Sequence, residues 1–138
     1  MAGQKLVVKK MLLLLGVGWC CLSCNKVNSD GSKLEGKYIG YFHRNGQDTA
    51  RVSFDFSGNV YQGHSSEEAY PVVGTGSFDQ NGNTISFNNS IKRAVKVDNS
   101  LILKGAYNYQ DNYDGSIRIW RQQDETIDEF ILRQSLSN

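Results

Sequence analysis

The chain has 138 residues, the length of one small domain with a core of its own. Its formal net charge is +1 and it contains no basic block, so it lacks the electrostatic footprint of a nucleic-acid-binding protein. All three cysteines lie between positions 20 and 24, which excludes a disulfide framework or a cysteine-built zinc site spread over a fold.

The first element in chain order is a charged and then apolar leader. Lys5, Lys9 and Lys10 precede an apolar run over residues 11–22, with no acidic residue before Asp30. The run is shorter than the ~20 residues that a transmembrane helix needs. A positive start followed by a short apolar run is typical of a secretory signal, so we expect export, with residues 1–23 as the signal peptide.

The three cysteines follow directly, and the order Leu22-Ser23-Cys24 places a small residue before the last of them. This stretch resembles the lipobox of bacterial lipoproteins. The resemblance implies that the Cys24 thiol carries lipid and anchors the chain in a bacterial cell envelope, at the outer membrane, facing the periplasm or the surface. The alternative is a secreted protein cut nearby by general signal peptidase. Residues 24–34 are polar and predict a flexible tether, which leaves residues 35–138 as the folded domain.

The domain reads as a series of strands. In TARVSFDF, apolar and polar residues alternate strictly, which indicates one buried and one wet face. The spacing of such runs predicts strands over 37–43, 49–56, 60–63, 72–79, 83–89, 101–109, 116–122 and 126–133, with a further candidate over 91–97. Gly, Asn and Asp pairs between them supply the positive φ of tight hairpins.

One motif occurs twice, as SFDFSGNVY over 53–61 and SFDQNGNTI over 77–85. Each copy places a strand before a Gly-Asn turn and an apolar residue beyond it, which favours successive hairpins. Because an open meander of about eight strands would leave two long edges, we expect an all-β, antiparallel up-and-down meander closed into a small barrel. The alternative is a sandwich of two sheets.

The order of these strands, with Gly36-Lys37-Tyr38 opening the first and Arg133 in the last, resembles the small lipocalin-like barrels. That family has Gly, any residue and then Trp at this point. The resemblance implies that Tyr38 and Arg133 pack together and close one end of the barrel. It also implies a cavity open at the other end that takes a small apolar or amphipathic molecule.

Five aromatic residues fall on the predicted inner face and are the candidates for lining such a cavity: Phe54, Phe56, Phe78, Phe87 and Tyr107. The same residues would also serve simply to fill the core of a solid barrel. Residue type does not separate these two hypotheses.

Two further residues are candidates for contact with a protein partner. If Arg133 covers Tyr38 from inside, Glu129 and Ile131 face inward, together with Ile117 and Ile119. Trp120 would then lie outside as an exposed aromatic; the alternative places it in the core. His64 begins the longest polar connection, HSSEEAYP.

The sequence therefore favours a lipid-anchored barrel that binds a small hydrophobic or amphipathic ligand. The alternative is a solid barrel that binds another protein, as an inhibitor, adhesin or assembly accessory. No nucleophile–base pair and no metal-ligand spacing is present in the sequence, so we expect neither an enzyme nor a cofactor.

Overall fold

The computed structural model of the protein describes residues 33–92 and 97–136. The expected signal peptide, Cys24 and most of the expected tether lie outside the described residues, as do 93–96 within the candidate strand over 91–97.

The described chain forms eight antiparallel strands, which pair in sequence order, and β8 returns to pair with β1. They are β1 (Gly36–Arg44), β2 (Ala50–Ser57), β3 (Val60–Ser65), β4 (Thr75–Asn81), β5 (Thr84–Asn89), β6 (Gly105–Asp111), β7 (Ser116–Gln123) and β8 (Thr126–Gln134). The expected closed up-and-down barrel is confirmed, and the two-sheet sandwich is excluded.

The repeated motif corresponds to two equivalent hairpins. Gly58-Asn59 joins β2 to β3 and Gly82-Asn83 joins β4 to β5. In both turns the glycine, at the first central position, has positive φ (62° and 55°). Glycine at this position is the preference of a type II′ turn, whose twist matches that of the flanking strands.

Two predicted strands begin later than expected. The strand predicted from 72 begins at Thr75, and the one predicted from 101 begins at Gly105. The residues before them bridge to each other instead: Val72 donates to the Leu101 carbonyl at 2.9 Å, and Leu103 donates to the Val72 carbonyl at 3.0 Å. Backbone groups that a barrel strand would pair with its neighbours are thus paired between two loops.

The barrel encloses one core, and its two ends are covered differently. At the end where the chain enters β1, Leu34 is only 2% exposed and belongs to the core, although the sequence analysis assigned it to the tether. We call this the Leu34 end. At the opposite end, which we call the Asp128 end, the bridged segments 72–73 and 101–103 bring buried Val73 and Leu103 to the core.

Candidate functional site

The five interior aromatic candidates all lie inside the barrel and are almost fully buried. Their rings contact one another: Phe54 stacks on Phe56 at 5.4 Å between centroids, Phe56 meets Phe78 edge to face at 5.1 Å, and Phe87 meets Tyr107 edge to face at 5.7 Å. Edge-to-face and offset arrangements at these distances are the favourable geometries for aromatic pairs. The candidates therefore serve as partners for each other in the core.

A buried ionic network lies at the Asp128 end. The guanidinium of Arg44 donates to both carboxylate oxygens of Asp128, at 2.6 and 2.8 Å, and both residues are buried. These hydrogen bonds raise the pKa of Arg44 above its ordinary value, since they favour the charged form. The bidentate geometry fixes the two side chains relative to each other.

The same network holds the covering segment in place. Arg44 also donates to the Ser100 hydroxyl at 2.9 Å, and Arg121 donates to the Ser100 and Lys104 carbonyls at 2.7 and 2.9 Å. The Arg121 guanidinium lies 4.6 Å from the centre of the Tyr107 ring, over its face. Arg121 also donates to Asp128 at 3.2 Å, so this carboxylate holds both of the arginines that bind the backbone across this mouth of the barrel.

The expected contact between Tyr38 and Arg133 is not made, and the register explains why. Arg133 pairs with Ile39, so it lies on the face of the sheet opposite to Tyr38. Arg133 is exposed and binds the Asp114 carboxylate, whereas the Tyr38 ring packs on Phe56 at 5.6 Å. Leu34, rather than an arginine from the last strand, fills this end.

The side-chain directions that depended on an inward Arg133 are wrong for β8. Glu129 and Ile131 share the outer face with Arg133, while Ile117 and Ile119 of β7 are buried in the core. Trp120 is half-buried on the outer face, where the Arg118 guanidinium lies 4.4 Å from its ring centre and bonds to Glu129. Trp120 therefore lies on the surface, as one alternative predicted, but its indole is already partly covered by Arg118.

A concavity in apolar surface lies outside the barrel, on β3, β2, β1 and β8. We call it the outer groove, and its volume is about 1010 Å³. Its walls include the end of β3 and the chain after β8. Its lining residues are Ile39, Gly40, Tyr41, Arg51, Val52, Ser53, His64, Ser65, Ser66, Ile131, Arg133, Gln134, Ser135 and Leu136.

The apolar side chains of the outer groove are largely exposed to solvent. Ile39 is 55% exposed, Tyr41 52% and Leu136 87%. Tyr41 pairs across the strands with Ile131 on one side and Arg51 on the other, so apolar and cationic side chains lie side by side. Clustered exposed apolar residues on a folded domain are typical of binding surfaces.

The floor of the groove depends on a glycine. A Cβ added at Gly40 would lie 1.9 Å from the Ile131 carbonyl oxygen, a distance that no side chain tolerates. The backbones of β1 and β8 therefore approach closely at this point, and glycine is the residue that permits it.

His64 lies exposed at the end of β3 and lines the outer groove. The neighbouring Glu67 and Glu68 line a different, polar concavity of about 740 Å³ formed with the loop at 46–49. The histidine and the carboxylates of this connection thus belong to separate surfaces.

In the part of the chain that the structure describes, no three His, Cys, Asp or Glu side chains are grouped so that they could hold a metal ion. Within the same residues, no helix has both the length and the apolarity to cross a membrane.

The sequence analysis missed both the ionic network and the groove. Asp128 has the same parity as Phe130 and Leu132, so choosing the two apolar residues as the inward set would have placed it inside. The groove could have been predicted from β1, which has apolar residues on both faces: Tyr38 and Phe42 point inside, and Ile39 and Tyr41 point outside.

Comparisons of the chain with models of protein families, with curated proteins and with solved structures gave no match in any of the three.

Proposed function

We propose that the protein is a lipid-anchored binding module of the bacterial cell envelope, held by Cys24, that takes a small amphipathic molecule in its outer groove. The observation that carries the proposal is the contrast between the two faces of the sheet. The interior rings have one another as partners, whereas Ile39, Tyr41 and Leu136 expose apolar surface beside one concavity.

The interior supports this choice because a ligand there would have to displace existing contacts. Phe130 alone lies within 4.8 to 6.3 Å, centre to centre, of the rings of Phe42, Phe54 and Tyr107. Both ends are also covered, by Leu34 and by the bridged loop segments. An interior carrier would need to lose this packing before binding.

The outer groove needs no such rearrangement. It is open to solvent, and most of its lining lies on paired strands. The apolar residues Ile39 and Tyr41 of β1 lie between Arg51, Ser53 and His64 on one side and Arg133 on the other. A site of this kind provides a rigid surface for a ligand with one apolar and one polar part.

The test is to add an apolar fluorescent probe and then dodecanoate to the purified full chain while methyl resonances are observed by NMR. The methyl groups of Ile39, Ile131 and Leu136 report on the groove, and those of Ile85 and Leu132, which are fully buried, report on the core. We expect shifts confined to the first set.

A matched pair of variants completes the test. Ile39→Asp should abolish binding, whereas Val60→Asp should not, because Val60 is equally exposed (53%) on β3 but does not line the groove. Shifts of the Ile85 and Leu132 methyls that exceed those of the groove would instead establish an interior carrier and overturn the proposal. A folded protein that binds neither compound would point to the solid barrel with a protein partner.

A further inference from the structure

We infer that the outer groove selects an anionic amphiphile, with the acidic head group held by Arg51 and His64 and the hydrocarbon chain lying over Ile39, Tyr41 and Leu136. This inference rests on the proposed function and adds the chemical class of the ligand.

The ionisable side chains of the groove lining include basic groups and no carboxylate. Arg51, Arg133 and His64 line the groove, and no Asp or Glu does. Arg133 already binds the Asp114 carboxylate. The Arg51 guanidinium, by contrast, has no ion pair or hydrogen bond to any other described side chain or backbone group, so its five donors are available to a ligand.

The lining residues of the groove follow two rows across the sheet. His64 of β3 pairs with Ser53 of β2, which in turn pairs with Ile39 of β1. In the next row, Arg51 pairs with Tyr41, and Tyr41 with Ile131 of β8. In both rows polar groups on β2 and β3 precede apolar groups on β1. On β8 the second row continues to Ile131, whereas the first continues to Arg133, whose guanidinium is already bound by Asp114. The side of the groove at Arg51 and His64 therefore suits an acidic head group, and the apolar residues of β1 suit the chain.

The donors at the polar side of the groove suit an acidic head group. A planar guanidinium donates two parallel hydrogen bonds to a carboxylate or phosphate, and an imidazole N–H adds another donor beside it. Two serines that line the groove beside them, Ser53 and Ser66, have hydroxyls that can donate to further head-group oxygens, whereas the Ser65 hydroxyl already donates to the Tyr70 carbonyl at 2.7 Å. A cationic head group would meet the charge of Arg51, and no carboxylate lines the groove to offset it.

The experiment compares four probes with the full chain, below their micelle concentrations: dodecanoate, dodecyl phosphate, dodecanol and dodecyltrimethylammonium. The groove methyls of Ile39 and Leu136 report site-specific binding. We expect the two anions to bind at least tenfold more tightly than the cation, with dodecanol between them. Decanoate and octanoate should bind successively more weakly, by about twofold for each methylene removed from an open groove.

The variant Arg51→Gln separates the head-group contact from the apolar contact. It should weaken dodecanoate binding about fivefold to tenfold, the effect of losing a charge-assisted pair, and leave dodecanol unchanged. Lys104→Gln removes the same charge from an exposed residue outside the groove and should change neither.

The outcomes distinguish the two proposals. Equal affinity for all four probes, with groove methyls responding and Arg51→Gln without effect, would overturn the anionic assignment and leave the groove as the site. A response in the Ile85 and Leu132 methyls would overturn the groove itself. Binding to anionic vesicles with no groove response to the monomeric probes would show that this face docks on a bilayer surface, and would overturn the inference.

Discussion

The Leu34 end and the Asp128 end of the barrel are closed by opposite chemistries. At the first, the apolar side chain of Leu34, two residues before β1, enters the core, and the Leu34 N–H donates to the Gln80 side-chain oxygen at 3.1 Å. At the second, Arg44 and Arg121, held by the buried Asp128 carboxylate, donate to the Ser100 and Lys104 carbonyls across the mouth. The apolar contacts of Leu34 are non-directional, whereas the hydrogen bonds at the Asp128 end fix the positions of Ser100 and Lys104 relative to the arginines.

This difference indicates at which end of the barrel a single substitution lowers the stability most. An apolar plug loses the free energy of its own burial when it is truncated. Removing one partner of a buried ion pair lowers the free energy of unfolding much more, because the remaining charges stay desolvated without compensation. We therefore expect the Asp128 end to dominate the mutational response, although its ion pairs need not dominate the stability.

The largest predicted effect is that of Asp128→Asn, which leaves Arg44 and Arg121 without their carboxylate. We expect the free energy of unfolding to fall by about 3–5 kcal/mol, measured by urea denaturation of the full chain. Asp55→Asn is the matched control, because Asp55 is exposed on the outer face of β2 and its loss should change the stability by less than about 0.5 kcal/mol. A cost for Asp128→Asn as small as that of the control would refute the ionic closure.

The plug at the other end should give the next largest effect. Leu34→Ala removes a side chain that is 2% exposed, and we expect the free energy of unfolding to fall by about 2–3 kcal/mol. The same substitution at Leu136, which is 87% exposed, should be close to neutral. If the two variants proved equally stable, Leu34 would not belong to the core of the protein in solution.

A smaller effect should be local to the Asp128 end. Ser100→Ala removes the hydroxyl that accepts from Arg44, a loss of about 1 kcal/mol. The amides of Val72 and Leu103, which make the bridge between the loops, should then exchange with solvent about fivefold faster, while the amides of β1 and β8 keep their rates. A uniform change across all strands would mean that the segment does not open separately.

The smallest effect should appear at the Leu34 end as a dependence on pH. The Ser116 hydroxyl and N–H both donate to Asp114 and hold the pKa of this carboxyl below its usual value. The resulting stabilisation is present above the unfolded-state pKa and is lost as the pH falls through the folded-state pKa. Asp114→Asn should lower the free energy of unfolding at neutral pH, and its difference from the unaltered protein should disappear on acidification.

The control for this prediction is Asp79→Asn, at an exposed position of β4. Its free energy of unfolding at neutral pH should equal that of the unaltered protein. A difference for Asp114→Asn that grew on acidification would contradict the assigned sign.

The sequence predicted the architecture because the hairpin signals are local. Strict alternation in β2 and the Gly-Asn turns after β2 and β4 specify which residues face inward and where the chain reverses. Closure followed from the need to pair both edges. None of these inferences required knowledge of which distant residues meet.

The errors arose where the result depended on the pairing of distant strands. Whether Arg133 meets Tyr38 or Ile39 is decided by the β1–β8 register, and a shift of one residue reverses the face. The family resemblance suggested one register, whereas the buried parity of Phe130 and Leu132 required the other. The outer groove likewise assembles residues 39–41 with residues 131–136, a juxtaposition that no local pattern contains.

The pairing of β8 with β1 gives the strands a cyclic order. Ser135 donates to the Lys37 carbonyl at 2.7 Å, so the two ends of the described chain run side by side at the Leu34 end. A circular permutant that joins these ends by a short linker and opens the turn between Asp124 and Glu125 would keep every strand neighbour in place. Such a chain would begin with β8, and β8 and β1 would become neighbours in sequence. The strand pair that closes the barrel, which also forms the floor of the outer groove, would then fold as a local hairpin.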